Sequence, residues 1–203
     1  MAALTNKGLF YTEELGTTIR IAQVLGLTST AFLAGKTFAA SFAAVPALLH
    51  APAPLLAKQW KTLFDADKLV NPVVSAIGLG VFSFFAYRDP NPGSRHQILY
   101  TTAAALLASF IPYSLLLLGP ISAKLEQKAQ DLASTSLTDT VAESGMAKEE
   151  TTHVLVDRWA TVNLGRTLLS FVAAVAATWA AVDRLEVVPA VGKLVGGADR
   201  MGH

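Results

Sequence analysis

Arg158–Arg166, RWATVNLGR, leads through Thr167 into Leu168–Val182, LLSFVAAVAATWAAV. On a helix Trp159, Asn163 and Arg166 stand at i, i+4 and i+7, so an indole, an amide and a guanidinium share one face. The apolar run that follows is long enough to cross a bilayer, and the expected span is 161–182. An arginine at the mouth of a span is costly against lipid and belongs in the bundle interior, a polar cavity or the headgroup interface. Two readings of this face stand side by side. It is a functional site, or Arg166 snorkels to the headgroups while Asn163 caps or packs.

Outward from this helix the composition agrees. Of 203 residues, 52% are apolar and only 15% charged, with a mean hydropathy of +0.44; a soluble domain carries about 25% charged residues. The apolar residues are gathered into runs, which reads as an integral membrane protein. A formal net charge of +1 with scattered Lys and Arg argues against a nucleic-acid partner and leaves membrane lipid as the expected surroundings. Without cysteine there are no disulfides, thiolate nucleophiles or iron–sulfur ligands. The first residues, MAALTNKGLFYTEELG, lack the basic start and apolar core of a cleaved signal.

The fold class expected is all-α: a four-helix transmembrane bundle with short amphipathic interfacial helices, in one domain over 1–185 with a loosely ordered tail over 186–203. The spans are placed at 19–45, 72–87, 98–118 and 161–182. Pro46 is expected to kink or end the first. Lys36 lies inside it, in AGKTFAASF; an ammonium at that depth is usually functional, or else the helix is offset and the head snorkels. Residues 51–71 read as an interfacial segment, with Leu55, Leu56, Trp60, Leu63 and Phe64 as the apolar stripe and Trp60 at headgroup level. Asn71-Pro72 then reads as an N-cap and N1 proline opening the second span, where Gly78 and Gly80 permit close helix approach. Pro112 interrupts the third span, with Ser109 and Tyr113 on one face. Those hydroxyls either line a cavity or satisfy the broken helix. STSLTDTVAESG reads as a mobile loop. Lysines and arginines divide evenly between the two sides of the bundle, so they set no orientation.

His50, His96, His153 and His203 all fall outside the middle of a span, which argues against a bis-histidine haem anchor. No carboxylate–histidine motif points to a metal, and no phosphate loop, dinucleotide fingerprint or nucleophile elbow is present. His153 and Asp157 at i, i+4 are a proton relay or a solvated face.

Several pieces together resemble a known family. GKTFAASFAAVPALL is followed by the tryptophan-bearing LLAKQWKTLF, a proline-opened second span, LYTTAAALLASFIPYS, and W-x3-N-x2-R entering the last span. In order and spacing, over about 16–183, these resemble the anthrone oxygenases, small four-helix membrane proteins of fungal aromatic polyketide pathways. GPISAKL departs from the pattern, where a more polar step is expected at Ile121-Ser122. The resemblance implies O2-dependent oxidation of an anthrone at its central methylene to an anthraquinone, with O2 as co-substrate and no cofactor. The expected location is an intracellular membrane such as the endoplasmic reticulum, and the sequence does not identify which. A homo-oligomer is left open.

Under that resemblance Arg166 and Asn163 stabilise the developing oxyanion and Trp159 stacks on the flat polyketide. Lys36 is the favoured base and His50 the reserve. Tyr100, Tyr113 and Ser109 are further substrate contacts, and no metal is expected. The competing class is a non-enzymatic scaffold, assembly factor or lipid-binding module, in which Arg166, Asn163 and Lys36 fix interhelical packing. A void beside Lys36, Tyr113, Asn163 and Arg166 favours the enzyme; a filled polar knot favours the scaffold.

Overall fold

The computed structural model describes residues 16–183, so the tail expected over 186–203 lies outside the described residues. Among the described residues are four helices long and apolar enough to cross a membrane: α1 (Thr17–Leu48), α2 (Ala53–Arg88), α3 (Arg95–Asp131) and α4 (Thr152–Asp183). Helix α1 packs on α2 and α4, and α3 packs on the same two, which closes a four-helix bundle. Large apolar side chains stay exposed on α1 from Ile21 to Phe42, α2 from Leu69 to Tyr87, α3 from Ile98 to Leu117 and α4 from Leu164 to Val182. At 1.5 Å per residue these stretches measure roughly 27–32 Å, matching a hydrocarbon layer of ~30 Å. The helices are longer than this belt and project beyond it at the end where α1 meets α2.

Prolines shape the helices without ending them. The widened turn Ala40–Ala44 stops two residues before Pro46, and a second, Ser114–Leu118, stops two before Pro120. A proline ring collides with the carbonyl four residues back and offers no N–H to it; a π-turn there lets the backbone make room. Pro72 sits inside α2, which is unbroken. The separate interfacial helix and the fresh start expected at Asn71-Pro72 are therefore replaced by one 36-residue helix. Asn71 does not cap, because its side chain turns inward to bond α1.

Two apolar cores fill the bundle. One joins Leu33, Phe82, Phe85, Tyr100, Leu107 and Ala177. The other joins Val45, Leu56, Trp60, Leu125, Val156 and Trp159. Trp60 is 0% exposed, stacked on Phe64 and edge-on to Trp159 at 6.0 Å, so its indole faces the bundle interior and is not part of an exposed interfacial stripe. The chain buries it because α2 continues past Pro72 and keeps one face inward along its length. Gly78 meets Thr30 and Leu107 closely enough that a Cβ would collide, whereas Gly80 faces open space.

The loop after α3 is pinned. Glu143 accepts from Lys128 Nζ at 3.1 Å and from the Thr152 N–H and hydroxyl at 2.9 and 2.7 Å, capping α4. Gly145, at φ 88°, turns the chain back after it. Burial alone would raise the Glu143 carboxyl, but the Thr152 bonds and the Lys128 ammonium outweigh it and hold it below its ordinary value.

Candidate active site

Between the two apolar cores lies a polar layer. Helix α1 supplies Lys36, Thr37 and Ser41, α2 supplies Asp67, Asn71 and Ser75, and α4 supplies Asn163, Arg166 and Ser170; all but Lys36 are buried. Lys36 Nζ forms an ion pair with Asp67 Oδ1 and donates to Asn71 Oδ1 at 3.1 Å. Asn71 Nδ2 reaches Asp67 Oδ2 at 3.4 Å. Asn163 donates to the Thr37 carbonyl at 3.0 Å and the Ser41 hydroxyl at 2.9 Å, just where the first π-turn begins. Its own oxygen accepts from Arg166 Nη1 at 3.3 Å. Arg166 lies over the Phe110 ring, 4.5 Å from its centroid, where the π face attracts the cation.

Beside this layer opens a cleft of about 340 Å³ between α2, α3 and α4, a size typical of small-molecule sites. Phe64, Phe110, Leu118 and Trp159 give it apolar walls, and Asp67, Asn71, Ser122 and Arg166 give it polar ones. Ile111 and Leu115, on the lipid-facing belt, flank one side; Lys68 and Glu126, 3.9 Å apart, flank another. Among the described residues six buried polar atoms have no hydrogen-bond partner: Trp159 Nε1, Arg166 Nε and Ser122 Oγ belong to residues that line the cleft, and Gln59 Oε1, Trp60 Nε1 and His96 Nε2 to residues that do not. Buried polar atoms are normally paired, so the gathering of three at one cleft makes it the candidate site. The two nitrogens can only donate, so the complementary group is an acceptor, such as a ring oxygen.

The structure brings some of the expected site residues together and disperses others. Trp159 and Arg166 line the cleft; Asn163 and Lys36 stand behind it, the first holding Arg166 and the second holding Asp67 and Asn71. Tyr113 is turned away, since its hydroxyl donates to the Val162 carbonyl at 2.8 Å and its ring packs on Gly165. Ser109 bonds the Leu106 carbonyl at 2.7 Å within its own helix, satisfying the backbone instead of lining a cavity. Tyr100 belongs to the other core, where it stacks on Phe82 and Phe85 and accepts from Gln23. His50 is exposed past the end of α1 and does not line the cleft. His153 Nε2 meets the Ala51 carbonyl at 3.0 Å, which ties α4 to the α1–α2 link instead of pairing with Asp157.

Asp67, Asn71 and Ser122 are the site residues the sequence reading passed over. Trp60, Asp67, Asn71, Ser75, Gly78, Phe82 and Phe85 are all buried on α2. Their spacings of three, four and seven form one helical stripe that runs straight through the supposed cap, and that periodicity was the available signal.

Comparison with known sequences adds two findings. The sequence model of the anthrone oxygenase family matches residues 60–176, which include Asp67, Asn71, Trp159, Asn163 and Arg166 but not Lys36. Anthrone oxygenase encC of Aspergillus fumigatus is 28% identical over 116 residues, covering 53% of this chain and 61% of that protein. No solved structure matches.

Proposed function

This chain belongs to the anthrone oxygenase family, and from that premise we propose that it oxidises an anthrone-type polyketide to the anthraquinone with O2, without a resident cofactor, in the cleft between α2, α3 and α4. The observation that carries the reading is the trio of unpartnered buried groups, Trp159 Nε1, Arg166 Nε and Ser122 Oγ, set among aromatic walls. A flat phenolic ketone offers ring faces to Phe64, Phe110 and Trp159 and oxygens to the three polar groups. Loss of a methylene proton spreads negative charge onto the ketone oxygen. A fixed guanidinium in a water-poor slot stabilises that charge more than water would, because it needs no reorganisation. The electron-rich anion can itself reduce O2, so the protein's part is to hold, deprotonate and shield it.

The test is aerobic turnover of emodin anthrone by the detergent-purified protein with no added flavin, haem or metal, followed by quinone absorbance. The expected rate lies well above a heat-inactivated control, and Arg166→Met lowers kcat by roughly 100-fold, the scale of losing one oxyanion donor. The scaffold reading draws on two bonded networks, Asn163–Thr37–Ser41 and Lys36–Asp67–Asn71, and on the fact that of Lys36, Tyr113, Asn163 and Arg166 only Arg166 lines the cleft. A wild-type rate equal to the heat-inactivated control, across several substituted anthrones, would favour it.

A further inference from the structure

We propose that Asp67 is the general base of this reaction, with Lys36 and Asn71 as its positioning residues; the inference rests on the cleft being the anthrone site. Four observations lead there. Asp67 is a buried carboxylate among the residues that line the cleft, on a wall it shares with Asn71. Its Oδ1 is occupied by Lys36, while among the described residues Oδ2 has only the long 3.4 Å contact from Asn71 and so retains lone pairs for an incoming proton. Lys36, bonded to both Asp67 and Asn71, is a donor in this arrangement and does not itself line the cleft. The other candidates fail on position: Glu126 is paired with Lys68 and partly exposed at the cleft's edge, and His50 is off the cleft.

Asp67 is the base for both C–H protons. It takes the first methylene proton, and the electron pair of that C–H bond passes into the ring system and the ketone oxygen toward Arg166. O2 accepts the electrons and forms a C–O bond on the face away from Asp67, giving a peroxide anion that is protonated by water, while Asp67 returns its proton to water at the cleft mouth. Addition on that face pushes the remaining hydrogen toward Asp67. The carboxylate removes it, the freed pair makes the new C=O, the O–O bond breaks, and the departing hydroxide is protonated by water as Asp67 gives up the second proton. Anthrone plus O2 becomes anthraquinone plus water, and Asp67 ends as it began.

Proton removal can be read apart from oxidation. In deuterated buffer without O2, the wild-type protein should wash deuterium into the methylene of emodin anthrone faster than buffer alone, and Asp67→Asn should lose that exchange. In air, Asp67→Asn should lower kcat by about 100-fold or more, the usual worth of a positioned base, with KM and tryptophan quenching by the quinone little changed. Because Asp67→Asn strands the Lys36 ammonium, the double variant Lys36→Met/Asp67→Asn removes both charges. It should fold and bind quinone yet stay inactive, whereas a merely structural pair would recover turnover in that background. Lys36→Met alone should lower kcat while sparing KM, and Lys36→Arg should restore most of it. Wild-type exchange with undiminished exchange or turnover in either Asp67 variant overturns the assignment of the base and leaves the oxygenase reading standing. Neither exchange nor turnover in the wild-type protein overturns both.

Discussion

Gly165 lies between Asn163 and Arg166, and replacing it tests how tightly α3 and α4 hold that face. A Cβ at this position would sit 2.0 Å from Tyr113 Oη and 2.4 Å from Cζ. Ordinary contact begins near 3.4 Å, so the ring must retreat by more than an ångström. Tyr113 cannot do that and keep its 2.8 Å bond to the Val162 carbonyl. Gly165→Ala should therefore forfeit about 1 kcal/mol of hydrogen bond and incur about 1–3 kcal/mol of overpacking. Against these stands about 1 kcal/mol of helix propensity gained on replacing glycine with alanine. The net expectation is a loss of about 1–3 kcal/mol, read as a lowered unfolding midpoint in detergent. Gly80→Ala is the internal control, since nothing lies within 4 Å of its would-be Cβ; it should be neutral or slightly stabilising. Combining Gly165→Ala with Tyr113→Leu should recover part of the loss, because the ring that collides is gone. Turnover should fall with Gly165→Ala as well, since Arg166 rides on the same turn. If Gly165→Ala were as stable as Gly80→Ala, the close packing of Tyr113 on α4 would be refuted.

Trp60→Ala tests whether that indole is packed between helices or exposed on a surface stripe. Full burial against Phe64 and Trp159 predicts a cost of about 3–5 kcal/mol in the same unfolding assay, and a change under 1 kcal/mol would refute the buried position. Asn163→Leu removes the Asn163 Oδ1 acceptor of Arg166 Nη1 and the bonds to Thr37 and Ser41, so a loss of about 1–3 kcal/mol is expected, together with weaker quinone binding by fluorescence quenching. Glu143 sets an acid limit. Its carboxyl is held below the ordinary 4.5, so its stabilising share is complete above that value and is lost as pH falls through the lower, folded-state value. Glu143→Gln should flatten the dependence of the unfolding midpoint on pH below about 5; a variant with the wild-type acid slope would show that the cap on Thr152 contributes nothing.

The four spans were legible because each places apolar side chains over a length that fits the bilayer, and that signal survives local errors. The join at Asn71-Pro72 was not legible locally. An N-cap followed by proline and a proline inside a long helix have the same sequence, and only packing separates them. Here Asn71 bonds Lys36 and Asp67, and the helix continues. At Pro120 too the helix continues, and α3 passes through it to Asp131 because the π-turn before it makes room. On α4 the Trp159, Asn163 and Arg166 face could be read directly, since three chemically distinct groups at helical spacing lie within one helix. Asp67 could not, because Asp65 and Lys68 beside it give the look of a solvated face. Its meaning depends on Lys36, thirty-one residues away.

The position of that ion pair bears on what it is for. Removing two charges from water costs several kcal/mol per ion, and a hydrophobic pair of equal volume is often as stable. A carboxylate and an ammonium near the edge of a belt of exposed leucine, valine and phenylalanine are therefore poorly explained by stability alone. They are better explained by the cleft beside them. Its lipid-side flank, Ile111 and Leu115, belongs to the belt, and its polar flank, Lys68 and Glu126, lies at the belt's edge. Under the proposed function, a flat apolar ring system dissolved in the bilayer would meet such a cleft from the side, with its oxygens toward Arg166, Trp159 and Ser122. The burial that makes Asp67 expensive as a structural group also limits the competition of water for its lone pairs, a condition that favours removal of a proton from carbon.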